Sequence, residues 1–469
     1  MSQTTSERNR SAASPTSETD VDVIVVGGGL AGLTAARRLV QFGHTVRLFE
    51  ADDRVGGRTL SSEAGGVHID LGGTFVGPTQ DRIMALADEV GVRRYATYDS
   101  GDNILRWRQS VRRYSGTVPP MGASLLDVGR IQLQLNRIAE SIPLGRPWEA
   151  PRAAELDALS LGTWLERNHA SLTARDLIAL ACRTTWGCEP AELSMLHAAH
   201  YIHQAGGLSS MLDTARGAQE EHFVEGSHAI AVRVAAELGD AVVLDAPVRK
   251  IDWSGSTVVV TTDGARTRAR QVIIAVPPAL RRRIDFFPLL PPRYDQLSQR
   301  WAQGVLSKAY AVYEEPFWRR SGLSGQGLSD RGPAFITFDA SPEDGSRGVL
   351  LGFIGGVFGQ EWDHLDEPER RARALASFAD LFGPAALRPI VYIDQRWGNE
   401  IWTGGGPTAA PGPGTVLPYA RYLTEPVGPI RWAGTETSDR WSGFLDGAVR
   451  SGERAARDAH ASLAALPVH

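Results

Sequence analysis

The sequence predicts an α/β fold in which a discontinuous domain is interleaved with a second, mixed α+β domain. The chain has 469 residues, which exceeds one typical domain. Near its start, a β-branched run at residues 21–26 turns through glycines directly into a helical pattern. Strand and glycine-turn segments return at residues 271–277 and 429–436, separated by helical and mixed stretches. This spacing indicates that separated pieces of the chain build one domain.

The first of these segments carries the features of a dinucleotide site. Gly27 permits a tight turn, Gly29 lets the backbone approach a diphosphate, and Gly32 lets the helix pack close to the strand. The helix that begins there directs its positive dipole end at the phosphates. Glu50 ends the next strand 23 residues after Gly27, where an acid binds ribose hydroxyls. An ordinary strand–helix corner is the alternative, but the strand, the helix and the acid together favour a Rossmann-like unit.

The remaining elements follow from periodicity and turn residues. Helical patterns dominate from residue 81 to about residue 215, interrupted by a proline-rich loop at 143–151. Two β-branched runs flank a Trp-Ser-Gly-Ser turn at 253–256, which predicts a hairpin. In chain order, the predicted elements are strands at 21–26 and 45–50, helices at 81–90 and 125–140, strands at 242–244, 248–253, 257–262, 271–277, 305–313, 334–338 and 349–354, a helix at 367–381, a strand before the turn at 429–436, and a helix at 447–463.

These elements predict the domain organisation. The first residues are rich in Ser and Thr and have no apolar core, which is typical of a disordered lead rather than a secretion signal. The predicted parts are a lead at 1–19, a cofactor-binding domain at 20–95, 216–292 and 391–469, and a substrate-binding domain at 96–215 and 293–390.

Composition limits the class of protein. A hydrophobic content of 42%, a charged content of 22% and a net charge of −5 are typical of a soluble protein with a large core and disfavour a nucleic-acid partner. No run of about 18 apolar residues predicts a membrane span. The two cysteines, Cys182 and Cys188, match neither a disulfide framework nor metal-ligand spacing. We therefore expect no metal site and a cytoplasmic protein, and a homodimer is compatible with the sequence.

Lysine is rare in this chain, and one of its two lysines has an unusual setting. Lys250 lies at a polar strand end, whereas Lys308 lies inside an otherwise apolar strand. Alternation along that strand places Lys308 on one face with Leu306, Tyr310 and Val312. A lysine on such a face has a partner, lines a cavity, or reaches water from an edge strand.

Ordered motifs over most of residues 21–460 resemble the flavin-dependent amine oxidases, the family of the monoamine oxidases. The motifs are Gly-Gly-Gly-Leu-Ala-Gly at 27–32, Arg-Val-Gly-Gly-Arg-Thr at 54–59, Leu-Gly-Gly-Thr at 71–74, Ile-Ala-Val-Pro-Pro at 274–278, Lys308 followed by Glu-Pro-Phe-Trp at 315–318, and Trp-Ala-Gly-Thr-Glu at 432–436 with Trp-Ser-Gly-Phe-Leu-Asp-Gly at 441–447. The resemblance implies FAD, a two-domain fold and oxidation of a C–N bond.

The resemblance also implies a set of cofactor-binding residues. For Arg58, Trp397 and Glu436, the alternatives are a surface ion pair, plain core packing and an ordinary helix N-terminal acid, respectively. The implied set is Gly27, Gly29, Leu30, Ala31 and Gly32 at the diphosphate, Glu50 and Ala51 at the ribose, Gly57 and Arg58 near the phosphates, Gly72, Gly73 and Thr74 near the isoalloxazine ring, Val248 at the adenine, Trp397 beside the flavin, and Gly434, Glu436 and Leu445 along the phosphate, ribityl and pyrimidine parts. Lys308 matches the family lysine that holds a water against flavin N5, and its alternative is a snorkelling strand lysine.

Two departures from the family pattern concern the flavin and the amine. Gly406 occupies the position of the cysteine to which covalent members attach their flavin. We therefore expect non-covalent FAD, as in the branch similar to cyclohexylamine oxidase. Pro407 replaces one of two aromatic rings that flank the amine, and Phe444 is the other. The missing wall leaves amine specificity less well determined than flavin binding.

The predicted substrate walls favour an apolar amine. They are Gln204, matched to a family glutamine at the flavin face, and Met211, Phe338, Phe353, Pro407 and Phe444, for which ordinary core packing is the alternative. The expected reaction oxidises a cyclic or aryl-alkyl primary amine to an imine with O2 as acceptor. The imine is hydrolysed to a carbonyl compound and ammonia, and O2 becomes H2O2. Four alternatives stay open: a desaturase or dehydrogenase of the same fold, an L-amino-acid oxidase, a polyamine oxidase, and a non-catalytic flavoprotein.

Overall fold

The computed structural model describes residues 19–116, 119–122 and 124–465. The predicted lead at 1–19 lies outside these residues except for Thr19, which begins the first strand. The strands are β1 (Thr19–Val26), β2 (Val46–Phe49), β3 (Ser61–Ala64), β4 (Val67–Asp70), β5 (Arg94–Ala96), β6 (Asp102–Trp107), β7 (Ser110–Tyr114), β8 (Glu221–Phe223), β9 (Val242–Val243), β10 (Val248–Asp252), β11 (Val258–Thr262), β12 (Arg266–Ile274), β13 (Asp285–Phe287), β14 (Leu306–Tyr313), β15 (Leu323–Ser329), β16 (Ile336–Asp339), β17 (Gly348–Gly355), β18 (Val391–Arg396) and β19 (Ile430–Trp432).

The α-helices alternate with the strands at both ends of the chain and predominate between β7 and β8. They are α1 (Leu30–Gln41), α2 (Asp81–Glu89), α3 (Ser124–Glu140), α4 (Ala153–Asp157), α5 (Leu161–Arg167), α6 (Leu172–Trp186), α7 (Met195–Gln204), α8 (Leu208–Leu212), α9 (His228–Leu238), α10 (Pro292–Arg300), α11 (Phe317–Arg320), α12 (Val357–Trp362), α13 (Glu367–Phe382), α14 (Val416–Tyr419) and α15 (Leu445–Ala464). The predicted α/β fold class is confirmed.

The first sheet has eight strands among the described residues, in the order β13-β10-β11-β12-β1-β2-β9, with β19 also paired to β12. β1 runs parallel to β2 and β12, and β12 runs parallel to β19. Residues 23–26 of β1 are all apolar because both faces of the strand are buried there. The carboxyl ends of β1, β12 and β19 therefore meet at one edge, where ligands bind in open α/β sheets.

Helices α1 and α15 pack together over one face of this sheet. Their closeness depends on two glycines. A Cβ at Gly32 would lie 1.9 Å from the carbonyl oxygen of Gly27, and a Cβ at Gly452 would lie 2.3 Å from that of Ala31. The glycines thus set the distance from the first turn to α1 and from α1 to α15.

The second sheet has the strand order β18-β14-β17-β16-β15-β6-β7. Its strands come from residues 102–114 and 306–396. Strand β14 is buried along its whole length, and its side chains alternate between two cores. Leu306, Tyr310 and Val312 pack with Phe338 and Phe353 on one face. This confirms the predicted alternation and places Lys308 on the same face of a central strand.

Sequence and structure differ mainly in polar or short strands. The predicted hairpin is confirmed by antiparallel pairing of β10 with β11, and α15 begins at Leu445 rather than at residue 447. No strand was predicted for β3 to β8, β13, β15 or β18. β18 pairs with β14 of the second sheet rather than with the first sheet. The domain boundaries stay a prediction.

In the described part of the chain, no helix is long and apolar enough to cross a bilayer.

Candidate cofactor and substrate site

A long cavity follows the carboxyl edge of the first sheet and reaches the face of β14 that carries Lys308. It encloses about 2090 Å³, including the part open to solvent. Because the cavity is lined both by the turn after β1 and by the residues around Lys308, it can accept an extended dinucleotide together with a small molecule. Every predicted site residue lines it except Gly32, Gln204 and Glu436. The individual roles of these residues stay predictions.

The turn between β1 and α1 forms one wall of the cavity. Gly27 has a φ of +104°, which L side chains rarely adopt. Helix α1 begins after Gly29, and no described side chain caps it. Its first N–H groups and its positive dipole end therefore face the space where a diphosphate would bind. The predicted packing role of Gly32 agrees with its contact with the backbone of this turn.

Glu50 closes the far end of this wall. Its Oε2 accepts a hydrogen bond from the Gly28 N–H at 2.5 Å, and its Oε1 accepts one from the Asp52 N–H at 2.9 Å. Burial raises the pKa of the Glu50 carboxyl. Glu50 thus fixes the glycine turn by hydrogen bonding and also lines the cavity. Its remaining lone pairs can accept hydrogen bonds from ribose hydroxyls.

Arg58 and Glu436 form an ion pair beside the cavity, in which Glu436 is buried and Arg58 is partly buried. Arg58 Nη1 donates to Glu436 Oε1 at 2.6 Å and to the Pro407 carbonyl at 2.9 Å, and Nη2 donates to Glu436 Oε2 at 3.1 Å. Burial favours the neutral carboxyl of Glu436, but the Arg58 guanidinium outweighs it and lowers that pKa. Arg58 itself lines the cavity, whereas Glu436 lies behind it. The surface ion pair considered for Arg58 is therefore wrong.

Lys308 lies in a cage of neutral oxygens. Its Nζ donates to the Asp70 carbonyl at 3.1 Å and also to the Gly72 carbonyl and to Thr74 Oγ1. Burial lowers the pKa of Lys308, and the Asp70 carboxylate opposes this shift. Burial also raises the pKa of the Asp70 carboxyl. The snorkelling alternative is wrong, because the side chain is 5% exposed and lines the cavity.

Aromatic and aliphatic groups surround the cavity near Lys308. The Phe338 and Phe353 rings meet edge to face at 5.9 Å, and Lys308 Nζ lies 5.3 Å from the Phe353 centroid. Met211 and Phe444 complete this apolar end. This apolar end of the cavity can hold the carbon skeleton of a small molecule and exclude water from a polar group that the molecule carries.

The flavin side of the cavity includes Trp397 and the Gly406-Pro407 segment. Trp397 Nε1 donates to the Leu71 carbonyl at 2.9 Å, so this ring is fixed beside the glycines of the 71–74 motif. A Cβ at Gly406 would meet the Trp397 side chain at 3.5–3.6 Å, which is ordinary contact. A larger side chain therefore fits at Gly406, although the chain has none there.

The structure does not bring Gln204 to the cavity. Its Nε2 donates to the Ser438 carbonyl at 2.9 Å, which buries the amide against the closing motif. Gln219 lines the cavity instead: its Nε2 donates to the Met211 carbonyl at 3.2 Å, and its Oε1 has no partner among the described residues. Gln204 ends α7 and Gln219 lies between α8 and β8, and the sequence pattern does not show which of the two faces the cavity.

Sequence reasoning also missed Tyr201. It lies three residues before Gln204 on α7, lines the cavity, and has its ring centroid 5.9 Å from that of Phe444. Its hydroxyl would lie 2.1 Å from a Cβ at Gly443, so that glycine makes room for it. Tyr201 therefore provides an aromatic surface near the position where Pro407 provides none.

A second cavity adjoins the apolar end of the first. The two share Thr184, Leu212, Gln219 and Phe338. The second is lined by Asp99, Asp213 and Gln326, among apolar residues of α3 and α6. A passage through this region is thus more polar than the apolar end near Lys308.

Known proteins resemble the chain over nearly its whole length. A model of the flavin-containing amine oxidoreductases matches residues 30–460. A Mycobacterium tuberculosis protein assigned as the flavin-containing monoamine oxidase AofH is 52% identical over 94% of this chain and 97% of its own. Two solved structures also match: putrescine oxidase bound to putrescine (34% identity, TM-score 0.91, 94% and 99% covered) and cyclohexylamine oxidase from Brevibacterium oxydans IH-35A (32%, TM-score 0.91, 95% and 100% covered). The chain belongs to the family of flavin-containing amine oxidoreductases, which are enzymes that oxidise amines.

Proposed function

We propose that the protein oxidises a cyclic or aryl-alkyl primary amine to the imine, with FAD held non-covalently and O2 as the final acceptor. The amine loses two electrons and two protons, which reduce O2 to H2O2. Water then hydrolyses the imine to an aldehyde or ketone and ammonia. A non-covalent flavin is supported by Gly406 at the attachment position. The two buried free thiols favour a cytoplasmic location, and the homodimer stays a prediction.

The observation that carries this proposal is the apolar end of the cavity beside Lys308. Phe338, Phe353 and Phe444 line it. Among the described lining residues, the carboxylates of this cavity are those of Glu50 and Asp52, which lie at the ribose end. An ammonium ion that enters such an apolar end loses hydration, and its pKa falls, so the neutral amine forms without a dedicated base.

Two polar groups of the chain complete the proposed site. The unpartnered Oε1 of Gln219 can accept an N–H of the amine and orient it. When bound, FAD would accept the hydride equivalent and pass its electrons to O2. Lys308 would place a positive charge near the flavin, and releasing one of its hydrogen bonds would free an N–H for a water there.

A diamine or polyamine is the second candidate substrate. Asp99 and Asp213 line the adjoining cavity, where a second ammonium group of an extended substrate could bind. In this binding mode, the reacting amine of the substrate lies at the apolar end of the first cavity. The second ammonium group of the substrate lies beyond Gln219, in the adjoining cavity. The solved structure of putrescine oxidase with putrescine has a similar fold.

A peroxide-coupled oxygen assay on the purified holoenzyme tests the proposal. The panel contains cyclohexylamine, benzylamine, 2-phenylethylamine, putrescine, spermidine and several L-amino acids. Peroxide with the first three substrates supports the proposal, and preference for putrescine or spermidine supports the second candidate. If no amine reduces the flavin anaerobically, both are wrong, and a desaturase of the same fold becomes the alternative.

A further inference from the structure

Arg281 is a buried cation that the proposed reaction does not use. It lies in the 3-10 turn Pro278–Arg283 and is 2% exposed. None of its Nε, Nη1 and Nη2 atoms has a hydrogen-bond partner among the described residues. Its Cζ lies 4.2 Å from the centroid of the Trp432 ring, and this cation–π contact is its main compensation. Because buried charged groups are normally paired, we expect an anion to balance the charge of this guanidinium.

No carboxylate on the described chain neutralises Arg281. Burial lowers the pKa of Arg281, and the nearby charge of Glu436 opposes this shift. Arg281 in turn contributes to the lowered pKa of Glu436. Glu436, however, is already bound by both Nη atoms of Arg58. A third cation nearby, Arg454, donates to the Trp432 carbonyl and to Thr437 Oγ1. Arg454 also pairs with the Asp458 carboxylate at 3.5 Å, so the positive charge left without a hydrogen-bonded anion among the described residues is that of Arg281.

This excess charge lies at the edge of the sheet where phosphates bind. Ile274, at the end of β12, is in parallel register with Val26 and with Trp432. The turns that follow these three strands carry Gly27, Arg281 and Gly434, respectively. Gly27 and Gly434 line the cavity, and a Cβ at Gly434 would be 3.5 Å from Oε2 of Glu436. Arg281 does not itself line the cavity, but its turn follows β12, which lies between the strands that precede Gly27 and Gly434.

We propose that Arg281 supplies the buried positive charge that balances the diphosphate of the bound FAD. The guanidinium acts through the wall formed by Gly434 and Glu436. The proposal rests on FAD as the cofactor and does not depend on which amine is oxidised. Its neighbours differ in setting: Arg282 is exposed and pairs with Asp295, and Arg283 donates to the Ile401 carbonyl.

Flavin affinity of the holoenzyme tests this role. Arg281→Met removes the charge at similar length, Arg281→Lys keeps it, and Arg282→Met is the matched control. Serial dilution, read by the fluorescence of released flavin, gives the dissociation constant of FAD. We expect a rise of about ten- to a hundredfold for Arg281→Met, a smaller rise for Arg281→Lys and none for Arg282→Met. An unchanged constant for Arg281→Met would overturn the proposal.

Thermal unfolding at increasing FAD concentration separates this role from a structural one. If Arg281 acts on the cofactor, the Tm of Arg281→Met is low at scarce FAD and recovers at saturating FAD. If it acts only by packing on Trp432, the Tm is low at every FAD concentration and the dissociation constant is unchanged. ADP and adenosine, added to flavin-depleted full-length protein, locate the effect. Weaker ADP binding with unchanged adenosine binding assigns it to the diphosphate, and equal weakening contradicts that assignment.

Discussion

At the scale of single residues, Lys308 shows how position changes the chemistry of a side chain. The same ammonium group at Lys250 lies beside Asp252 on β10 and is 45% exposed. At Lys308 it is surrounded by carbonyl and hydroxyl oxygens with one buried carboxyl, that of Asp70, in range. A charge held in this way interacts strongly with anything that enters the cavity, because little water screens it.

Replacing Lys308 tests its proposed part in flavin reoxidation. Lys308→Met should slow the reaction of the reduced enzyme with O2 by about a hundredfold, because an oriented positive charge near the developing negative charge is lost. Stopped-flow spectroscopy measures reduction by amine and reoxidation by O2 separately. Lys250→Met is the control. Equal reoxidation rates in Lys308→Met and the parent protein would contradict the assignment.

Gly406 offers a test of how the flavin is held. The unaltered protein should release all of its flavin on acid precipitation, because Gly406 has no sulfur to bond it. Gly406→Cys should fold normally, since its Cβ meets Trp397 at 3.5–3.6 Å, and should retain a fraction of flavin in the pellet. Gly406→Ser, with the same Cβ and no thiol, is the control. Flavin retained by the unaltered protein or by the serine variant would contradict non-covalent binding.

At the scale of elements, the turn from β1 into α1 was predictable because its requirements are local. A buried β-branched strand, a glycine turn and an uncapped helix N-terminus lie within one short segment. The strands β5–β7 were not predicted, because they are short or partly exposed and contain arginines. β7, with Arg112 and Arg113 exposed, has no apolar alternation to reveal it. Pairing with β6 determines its conformation.

Gly32→Ala tests the contact between α1 and its turn. The added Cβ would lie 1.9 Å from the Gly27 carbonyl oxygen, so the helix must shift. We expect a loss of about 3 kcal/mol in the free energy of unfolding and weaker FAD binding. Gly129→Ala is the control: it lies within α3 with no atom near its Cβ and should gain about 0.5–1 kcal/mol. Urea unfolding measures both, and equal effects would contradict the close-packing argument.

At the scale of the whole molecule, several histidines are enclosed by packing rather than by polar partners. Nε2 of His197, His200 and His222 has no hydrogen-bond partner among the described residues. Burial lowers the pKa of each to about 3. These imidazoles stay neutral in the folded protein at pH values where the unfolded chain protonates them.

The free energy of unfolding should therefore rise with pH between about 3 and 6.5. In this window the unfolded state binds more protons than the folded state, so stability is lost as pH falls below 6.5, by about 1.4 kcal/mol per pH unit for each histidine at most. Urea midpoints at pH 5, 6 and 7 measure the slope. His222→Phe should reduce it, and His68→Phe, which removes an exposed imidazole, is the control. A slope unaffected by His222→Phe would contradict its burial as a neutral group.

The sequence by itself determined the glycine turn and the apolar strand of Lys308, and its resemblance to the flavin-dependent amine oxidases indicated the family and the predicted site residues, all but three of which line the cavity. The turn and the strand depend on short-range rules: glycine where backbone comes close, alternation along a strand, and an acid at a set distance from a turn. Only the tertiary structure decided that Gln219 rather than Gln204 lines the cavity, that Arg58 binds Glu436, and that Arg281 is buried with no hydrogen-bond partner in the part of the chain that the structure describes. These facts depend on contacts between segments far apart in the chain, and the direction of a side chain across such contacts is set by packing, which local sequence does not specify.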